Sequence, residues 1–207
     1  MPNRVQKIPD SLPKATLTDV DDDLLHQANG KLDRKRKFAI GGQKSMASIT
    51  ADGGVTIQLK TGKHYHLIKV LIEEFIPHFV PASKILYVGD TGEKCGYLDE
   101  AGLAALGVKM DTHGKMPDVV IHYPAKNWLL LIEAVTSHGP VNANRREELA
   151  QLFAASTAGA GYVNAFPTRV DMTRNLTDIS WETEVWIAES PTHLIHFNGE
   201  RFLGPYE

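Results

Sequence analysis

Two carboxylates in one short stretch of the chain have the residue types and the spacing that a divalent-metal site requires. Asp118 precedes one apolar run, and Glu133 lies inside the next. A turn centred between Ala125 and Lys126 joins the two runs into a predicted β-hairpin. In that register Asp118 lies directly opposite Glu133, with Cβ atoms about 4.5–5.5 Å apart. Like charges at that separation repel unless a cation lies between them, so the pattern predicts a divalent-metal site.

The same two residues also fit a purely structural role. Glu133 could form an ion pair with a nearby Lys or Arg, and Asp118 could cap the start of its strand. Spacing alone leaves the metal site and the structural role open.

A longer resemblance favours the metal site. The segments that carry it are VTIQLKTGKHYHLIKVLIEEF, ILYVGDTGEK, GKMPDVVI, LLLIEAVTSHGPV, DISWETEVWIA and THLIHFNGERFLGPY. They extend over residues 55–207 and resemble the BsuBI/PstI-type restriction endonucleases, a branch of the PD-(D/E)XK nucleases. The resemblance implies an α/β fold, a restriction-endonuclease-like core in which helices flank a central mixed β-sheet. It also implies a catalytic domain at residues 46–207, preceded by a leader or linker at residues 1–45.

The function that the resemblance implies is that of a type II restriction-like endonuclease. Such an enzyme would act in the cytoplasm as a homodimer and would hydrolyse double-stranded DNA at a palindromic site with Mg²⁺. Asp118 and Glu133 match the two acidic residues of the family signature. Glu74 is a further candidate metal ligand, because the first helix of such nucleases often contributes an acid near the metals.

The lysine of the signature is missing from this chain. It normally follows the second acid by two residues, where this sequence has Val135. Lys115 is the first candidate for the replacing catalytic cation, because it precedes Asp118 by only three residues. Arg145 is the second candidate, because it lies on the inner side of the following predicted helix.

Basic side chains elsewhere are candidates for contacts with DNA phosphates. Residues 31–37 form the densest basic cluster, which predicts a phosphate-contacting arm or, equally, a solvated linker. The candidate DNA contacts are Arg34, Lys35, Arg36, Lys37, Arg145 and Arg146. His113 and His138 also flank the acidic pair.

Bulk composition adds few constraints. A chain of 207 residues with 43% hydrophobic residues suits one domain, and a net charge of −3 neither indicates nor excludes a nucleic-acid partner. The single Cys95 excludes an intramolecular disulfide and favours a reducing compartment. No run of about 18 apolar residues is present, so no membrane span is expected.

Periodicity and turn signals predict the elements around the pair. A helix is predicted over residues 63–79 and ended by Pro77 and Pro81, and another from an Asn142 cap to about Ser156. Glycines at positions 159 and 161 are expected to break the second helix. Further strands are predicted at 85–89, 162–166, 184–188 and 193–197. Both strands of the central hairpin are apolar on both faces, which is typical of buried strands in the middle of a sheet.

Two other functions compete with cleavage. One is a non-catalytic DNA-binding remnant that has lost the recognition domain and the motif lysine. The other is a nucleotide- or S-adenosylmethionine-binding protein that uses the Gly89–Gly92 loop, although this loop lacks a complete phosphate-binding motif. The His64-x-His66 pair has no spacing characteristic of zinc and is expected to be structural.

Overall fold

The structure, a computed structural model, describes residues 47–51, 55–59, 61–89, 96–109 and 115–197. The strands are β1 (Ala47–Ala51), β2 (Val55–Leu59), β3 (Lys84–Val88), β4 (Tyr97–Leu98), β5 (Val119–Tyr123), β6 (Trp128–Ala134), β7 (Gly159–Phe166), β8 (Thr183–Ile187) and β9 (Leu194–Phe197). The helices are α1 (Lys63–Val70), α2 (Ile76–Phe79), α3 (Glu100–Ala105), α4 (Ala143–Leu152) and α5 (Arg169–Arg174), with a π-helical segment (Leu71–Phe75) between α1 and α2. Within the described ranges, no helix has the length and apolar character needed to cross a membrane.

Most strands belong to one mixed sheet in the order β4-β3-β5-β6-β7-β8-β9, while β1 and β2 form a separate antiparallel pair. β6, β7 and β8 run parallel to one another, and the remaining neighbours in the sheet are antiparallel. β5 and β6 lie in the middle of this order, as their apolar side chains on both faces predict. The predicted fold, a central mixed sheet flanked by helices, is confirmed.

The hairpin that carries the two acids has the predicted register. Val119 pairs with Ile132 at the open end of the hairpin, and a short 3-10 turn at Pro124–Lys126 closes the other end. Asp118 immediately precedes the first of these paired residues, and Glu133 immediately follows the second. The two acids therefore lie opposite each other at the open end.

Alternation along the two central strands divides the core into two faces. Ile132 is fully buried in one cluster with Leu67 of α1. Leu131 is fully buried in a second cluster with Leu149 of α4. Because side chains two residues apart in a strand share a face, Glu133 projects on the same side as α4.

The first helical region passes through Pro77 and does not end there, so that part of the helix prediction is wrong. The N–H of Ile76 donates to the carbonyl of Leu71, five residues back, which makes the turn before the proline π-helical. Pro77 then lies in the first turn of α2, where its missing N–H costs little. The region ends at Phe79, two residues before Pro81.

The helix predicted from Asn142 to about Ser156 is correct at its start and too long at its end. The Asn142 side chain accepts a backbone N–H three residues on, whereas α4 already ends at Leu152. Beyond it, the N–H of Thr157 donates to a carbonyl just after α3, at 2.9 Å. Gly159 begins β7, so its role as a helix breaker is also wrong. A backbone contact with a distant loop therefore accompanies the end of α4. The periodicity of the local sequence cannot predict such a contact.

A buried amide fixes the loop between β6 and α4. Asn164 in β7 accepts the N–H of Val141 at 2.6 Å and lies 3.3 Å from Oγ1 of Thr183, to which its amide donates. We expect Asn164→Leu to lower the free energy of unfolding by about 1–3 kcal/mol, because the N–H of buried Val141 loses its partner. Urea denaturation followed by circular dichroism measures this change.

Gln151→Ala is the matched control for the buried amide. Gln151 is exposed on α4 and donates only a surface hydrogen bond, to Glu147. Its loss is expected to change the free energy of unfolding by less than about 0.5 kcal/mol. Equal effects of the two substitutions would contradict a structural role for Asn164.

Candidate active site

Asp118 has a fixed orientation at the open end of the hairpin. Its Oδ2 accepts the backbone N–H of Ala134 at 2.8 Å, and its Oδ1 lies 3.4 Å from Nε2 of His64. The side chain is 24% exposed, so the carboxylate remains accessible from the solvent. The contact with Ala134 joins the strand end that carries Asp118 to the residue directly after Glu133.

Glu133 is held by an arginine from α4. Nε and Nη2 of Arg145 contact Oε1 of Glu133 at 2.9 and 2.8 Å. Nη2 also donates to the carbonyl of Met116 at 3.2 Å, and Nη1 pairs with Glu148 at 3.2 Å. The ion pair foreseen as the structural alternative for Glu133 therefore exists, and the same guanidinium ties together the two chain segments that carry the acids.

Glu133 has a raised pKa in spite of this arginine. Burial raises the pKa of Glu133, the Asp118 carboxylate raises it further and Arg145 lowers it, with a result of about 7 against the usual 4.5. Burial and the repulsion from Asp118 together therefore outweigh the stabilisation that Arg145 gives the ionised Glu133. A divalent cation would relieve the repulsion, and hard carboxylate oxygens suit such an ion.

The acids open into a cleft of about 900 Å³ beside α4. Residues that line it include Lys115, Asp118, Glu133, His138, Arg145 and Glu148. The structure thus brings the three residues predicted to be catalytic into one cleft. Lys115 is exposed there, whereas the Arg145 side chain is only 18% exposed.

Val135, at the position of the signature lysine, does not line the cleft. It is buried in a cluster with Phe166, Val185 and Ile187. Its backbone N–H donates to the carbonyl of Ala165 at 2.8 Å. The cation that the signature supplies from this strand must therefore come from another element.

Two predicted residues lie away from the acidic pair. Glu74 is exposed in the π-helical segment and does not line the cleft. Arg146 lies over the ring of Tyr162 in β7, with its guanidinium carbon 5.4 Å from the ring centroid. Across the described ranges, no group of three or more His, Cys, Asp and Glu side chains is arranged to hold a metal ion. The roles of Glu74 as a ligand and of Arg146 as a DNA contact stay predictions.

Several other candidates lie outside the described residues. These are Arg34, Lys35, Arg36, Lys37, His113 and the Gly92 end of the Gly89–Gly92 loop. Gly89 itself donates its N–H to the backbone carbonyl of Asp118 at 2.7 Å. The start of that loop is therefore attached to the acid-bearing segment.

His64 is the site residue that the sequence analysis missed. It lies in the first turn of α1, with Nδ1 3.2 Å from the carbonyl of Ala134 and 3.4 Å from Oγ1 of Thr136. Burial lowers the pKa of His64, but the hydrogen bond and charge of Asp118, with smaller contributions, raise it to a net value above 6.5. Periodicity does not identify this residue, because only the packing of α1 on the sheet brings it to the acids.

Sequence comparisons find restriction endonucleases that are similar to this chain. The sequence profile of the BsuBI/PstI restriction endonuclease domain matches residues 47–200. Type II restriction enzyme BsuBI of Bacillus subtilis is 58% identical over 171 residues, which cover 83% of this chain and 54% of that protein. Type II restriction enzyme AplI of Arthrospira platensis is 31% identical over 176 residues, with coverages of 82% and 54%.

A solved structure matches as well. The SdaI restriction endonuclease superposes with a TM-score of 0.73 and 44% identity, over 78% of this chain and 51% of that one. This chain therefore spans about half the length of the relatives it matches. The profile covers more than half of the chain, and the acids it includes face one cleft. On these grounds the chain belongs to the BsuBI/PstI restriction endonuclease domain family.

Proposed function

We propose that this chain is the DNA-cleaving domain of a type II restriction endonuclease and that Asp118 and Glu133 hold a divalent ion, Mg²⁺. The observation that carries the proposal is the opposed pair of acids, oriented by separate contacts, at the mouth of a cleft. The names of its relatives BsuBI and AplI support restriction-type cleavage as the activity.

Hydrolysis of a phosphodiester adds the oxygen of water to phosphorus, breaks one phosphorus–oxygen ester bond and delivers a proton to the leaving alkoxide. A bound divalent ion supplies Lewis-acid stabilisation of the phosphoryl charge and a more acidic attacking water. Asp118, fixed by the N–H of Ala134, and Glu133, fixed by Arg145, present the oxygens that would hold it. Lys115 lines the same cleft and is exposed, so we assign to it the contact with the scissile phosphate.

The proposal extends to the assembly and its setting. A homodimer would place two such clefts about a twofold axis, which suits the two strands of a palindromic site in double-stranded DNA. A cytoplasmic location fits the single Cys95, which has no partner in the sequence for an intramolecular disulfide.

Incubation of the purified chain with plasmid DNA of mixed sequence tests the function. We expect discrete fragments with Mg²⁺ and none with EDTA. Absence of cleavage together with retention of DNA in a mobility-shift assay would instead support the second candidate, a non-catalytic DNA-binding remnant. That candidate is favoured by the buried Val135 at the lysine position. Absence of both cleavage and DNA binding would overturn both candidates.

The basic segment at residues 31–37 is proposed to contact phosphates without reading base sequence. Neutralising Arg34, Lys35, Arg36 and Lys37 together should weaken the binding of all DNA sequences alike. Each lost phosphate contact should reduce the slope of log affinity against log salt by about 0.9. Fluorescence anisotropy at several salt concentrations, on two unrelated duplexes, measures both effects.

Lys84→Gln provides the control for the basic segment. Lys84 is exposed at the start of β3 and does not line the cleft. Its neutralisation should leave the salt slope unchanged. An unchanged slope in the fourfold variant as well would mean that the segment is a solvated linker.

A further inference from the structure

Cleavage of a phosphodiester requires a proton for the leaving oxygen, and among the described residues one histidine lines the cleft. His138 lies on the loop between β6 and α4 and lines the same cleft as Asp118, Glu133 and Lys115. Its side chain is exposed, so the imidazole can exchange protons with the solvent between turnovers. The cleft therefore holds a group that could supply this proton.

The loop that carries His138 is held near both of its ends by β7. Before the histidine, the N–H of Val135 donates to the carbonyl of Ala165 at 2.8 Å. After it, the N–H of Val141 donates to the buried side chain of Asn164 at 2.6 Å. The histidine therefore projects from a short segment with fixed ends, as a group that must meet one atom of a substrate requires.

The contacts of the His138 ring leave one nitrogen available. Nδ1 of His138 lies 3.3 Å from Oγ of Ser137. A hydroxyl both donates and accepts, so this contact suits the charged ring and the neutral ring equally. Within the described ranges, no hydrogen bond or ion pair involves Nε2 of His138, which is therefore free to meet a substrate atom.

His64, the other histidine near the acids, has the opposite arrangement. Its Nδ1 lies 3.2 Å from the carbonyl oxygen of Ala134, which only accepts, and its Nε2 lies 3.4 Å from Oδ1 of Asp118. Both contacts retain protons on the ring. The side chain of His64 also does not line the cleft, so it is not placed to protonate a substrate.

The other charged side chains that line the described part of the cleft are poorer proton donors. The guanidinium of Arg145 does not lose its protons in proteins, and Glu148 is ion-paired with it. Asp118 and Glu133 are ionised when they hold a cation, and Lys115 is assigned to the phosphate. Histidine, in contrast, takes up and releases a proton near neutral pH, which makes it the most frequent general acid in enzymes.

We propose that Nε2 of His138 is the general acid that protonates the leaving oxygen of the scissile phosphodiester. This inference rests on the proposed function, because it assigns a further residue to the same cleavage. As the oxygen of water bonds to phosphorus, the phosphorus–oxygen ester bond breaks and the proton on Nε2 moves to the departing oxygen, which becomes a hydroxyl. The attacking water releases its proton to the solvent, and the neutral imidazole takes up a proton from the solvent.

A substrate with sulfur in place of the leaving oxygen tests this role directly. The ends of the wild-type cleavage fragments identify the scissile bond and its leaving oxygen, and a duplex with sulfur at that position is then prepared. Thiols are much more acidic than alcohols, so a thiolate departs without a proton and its departure does not need a general acid. Single-turnover rates of the full chain with Mg²⁺ are measured on both duplexes.

We expect His138→Gln to cleave the oxygen duplex about 10²–10⁴-fold more slowly than the wild type, the usual contribution of a general acid. On the sulfur duplex, the two proteins should have nearly equal rates. Lys115→Ala should remain slow on both duplexes, because the charge on the phosphoryl group is present in each.

His193→Gln is the matched control for His138→Gln. His193 is also exposed and also has a neighbouring hydroxyl, with Nδ1 2.9 Å from Oγ1 of Thr192, but it does not line the cleft. This variant should cleave both duplexes at the wild-type rate. Melting temperatures of the variants show whether each has folded, and His138→Asn replaces His138→Gln if the latter has not.

The results that would overturn the proposal are distinct from a failure of the proposed function. A wild-type rate of His138→Gln on the oxygen duplex would mean that a water molecule supplies the proton. Equal losses on both duplexes would assign His138 to DNA binding or to the phosphoryl charge. In both cases the wild type still cleaves DNA, and the proposed function stands. Absence of cleavage by the wild type would overturn the proposed function and the general acid together.

Discussion

Asp118→Asn is expected to lower the rate of plasmid cleavage by at least about 10³-fold. A bound metal ion contributes several kcal/mol to stabilising the transition state, and each 1.4 kcal/mol or so corresponds to a factor of about ten in rate. The amide oxygen of asparagine can still accept the N–H of Ala134, so the fold of the hairpin should persist. Cleavage of supercoiled plasmid at saturating Mg²⁺ measures the loss.

DNA binding should respond in the opposite direction. Asp118→Asn removes a negative charge beside the path of the phosphates, so DNA affinity should hold or rise. Glu74→Gln tests the predicted third metal ligand, an exposed acid outside the cleft lining. A comparable loss of cleavage would support that role, whereas near-wild-type activity would remove it. Loss of folding and DNA binding together in Asp118→Asn would mark Asp118 as structural.

Lys115→Ala is expected to slow cleavage by about 10²–10³-fold, the usual effect of removing a positioned electrostatic stabiliser. Lys115 is exposed at the cleft, so its removal should leave the melting temperature almost unchanged. Lys109→Ala, which removes an exposed lysine outside the lining, should change neither rate nor stability. Single-turnover cleavage and thermal denaturation of the same preparations provide the comparison.

Arg145→Ala distinguishes the two candidate cations. Its guanidinium already contacts Glu133, Glu148 and the carbonyl of Met116, so its loss leaves a mostly buried carboxyl without its partner. We therefore expect Arg145→Ala to lower both activity and stability. Near-full activity in Lys115→Ala, with loss of activity alone in Arg145→Ala, would move the phosphate contact to Arg145. If neither variant loses activity, a second metal ion is the stabiliser, and the rate should depend steeply on Mg²⁺ concentration.

The register of the central hairpin is decided by the local sequence, without contacts between distant segments. The short turn at Pro124–Lys126 fixes the register, because the length and type of the connection in a hairpin determine which residues of its two strands pair. That register places Asp118 opposite Glu133 before any tertiary contact is known. The helix cap at Asn142 is also decided locally, since its side chain accepts the backbone N–H of a residue only three positions further along the chain.

The surroundings of the acids follow from packing between layers. Which cation pairs with Glu133 depends on how α4 packs against the sheet, and the spacing of the sequence indicated Arg145 only as one of several candidates. The side chain of Val135 packs into an apolar cluster with residues of β7 and β8, which are strands that come much later in the chain.

His64 is the clearest case of a position that only the tertiary structure decided. Its Nδ1 contacts Ala134, 70 residues away in sequence, because α1 packs across the face of the sheet opposite to α4. The sequence by itself determined the two acids, their register and the strands that bear them, since neighbouring residues and a short turn fix those features. The tertiary structure decided which groups from α1 and α4 meet the acids, because contacts between distant segments depend on how whole faces pack and leave no periodic signal along the chain.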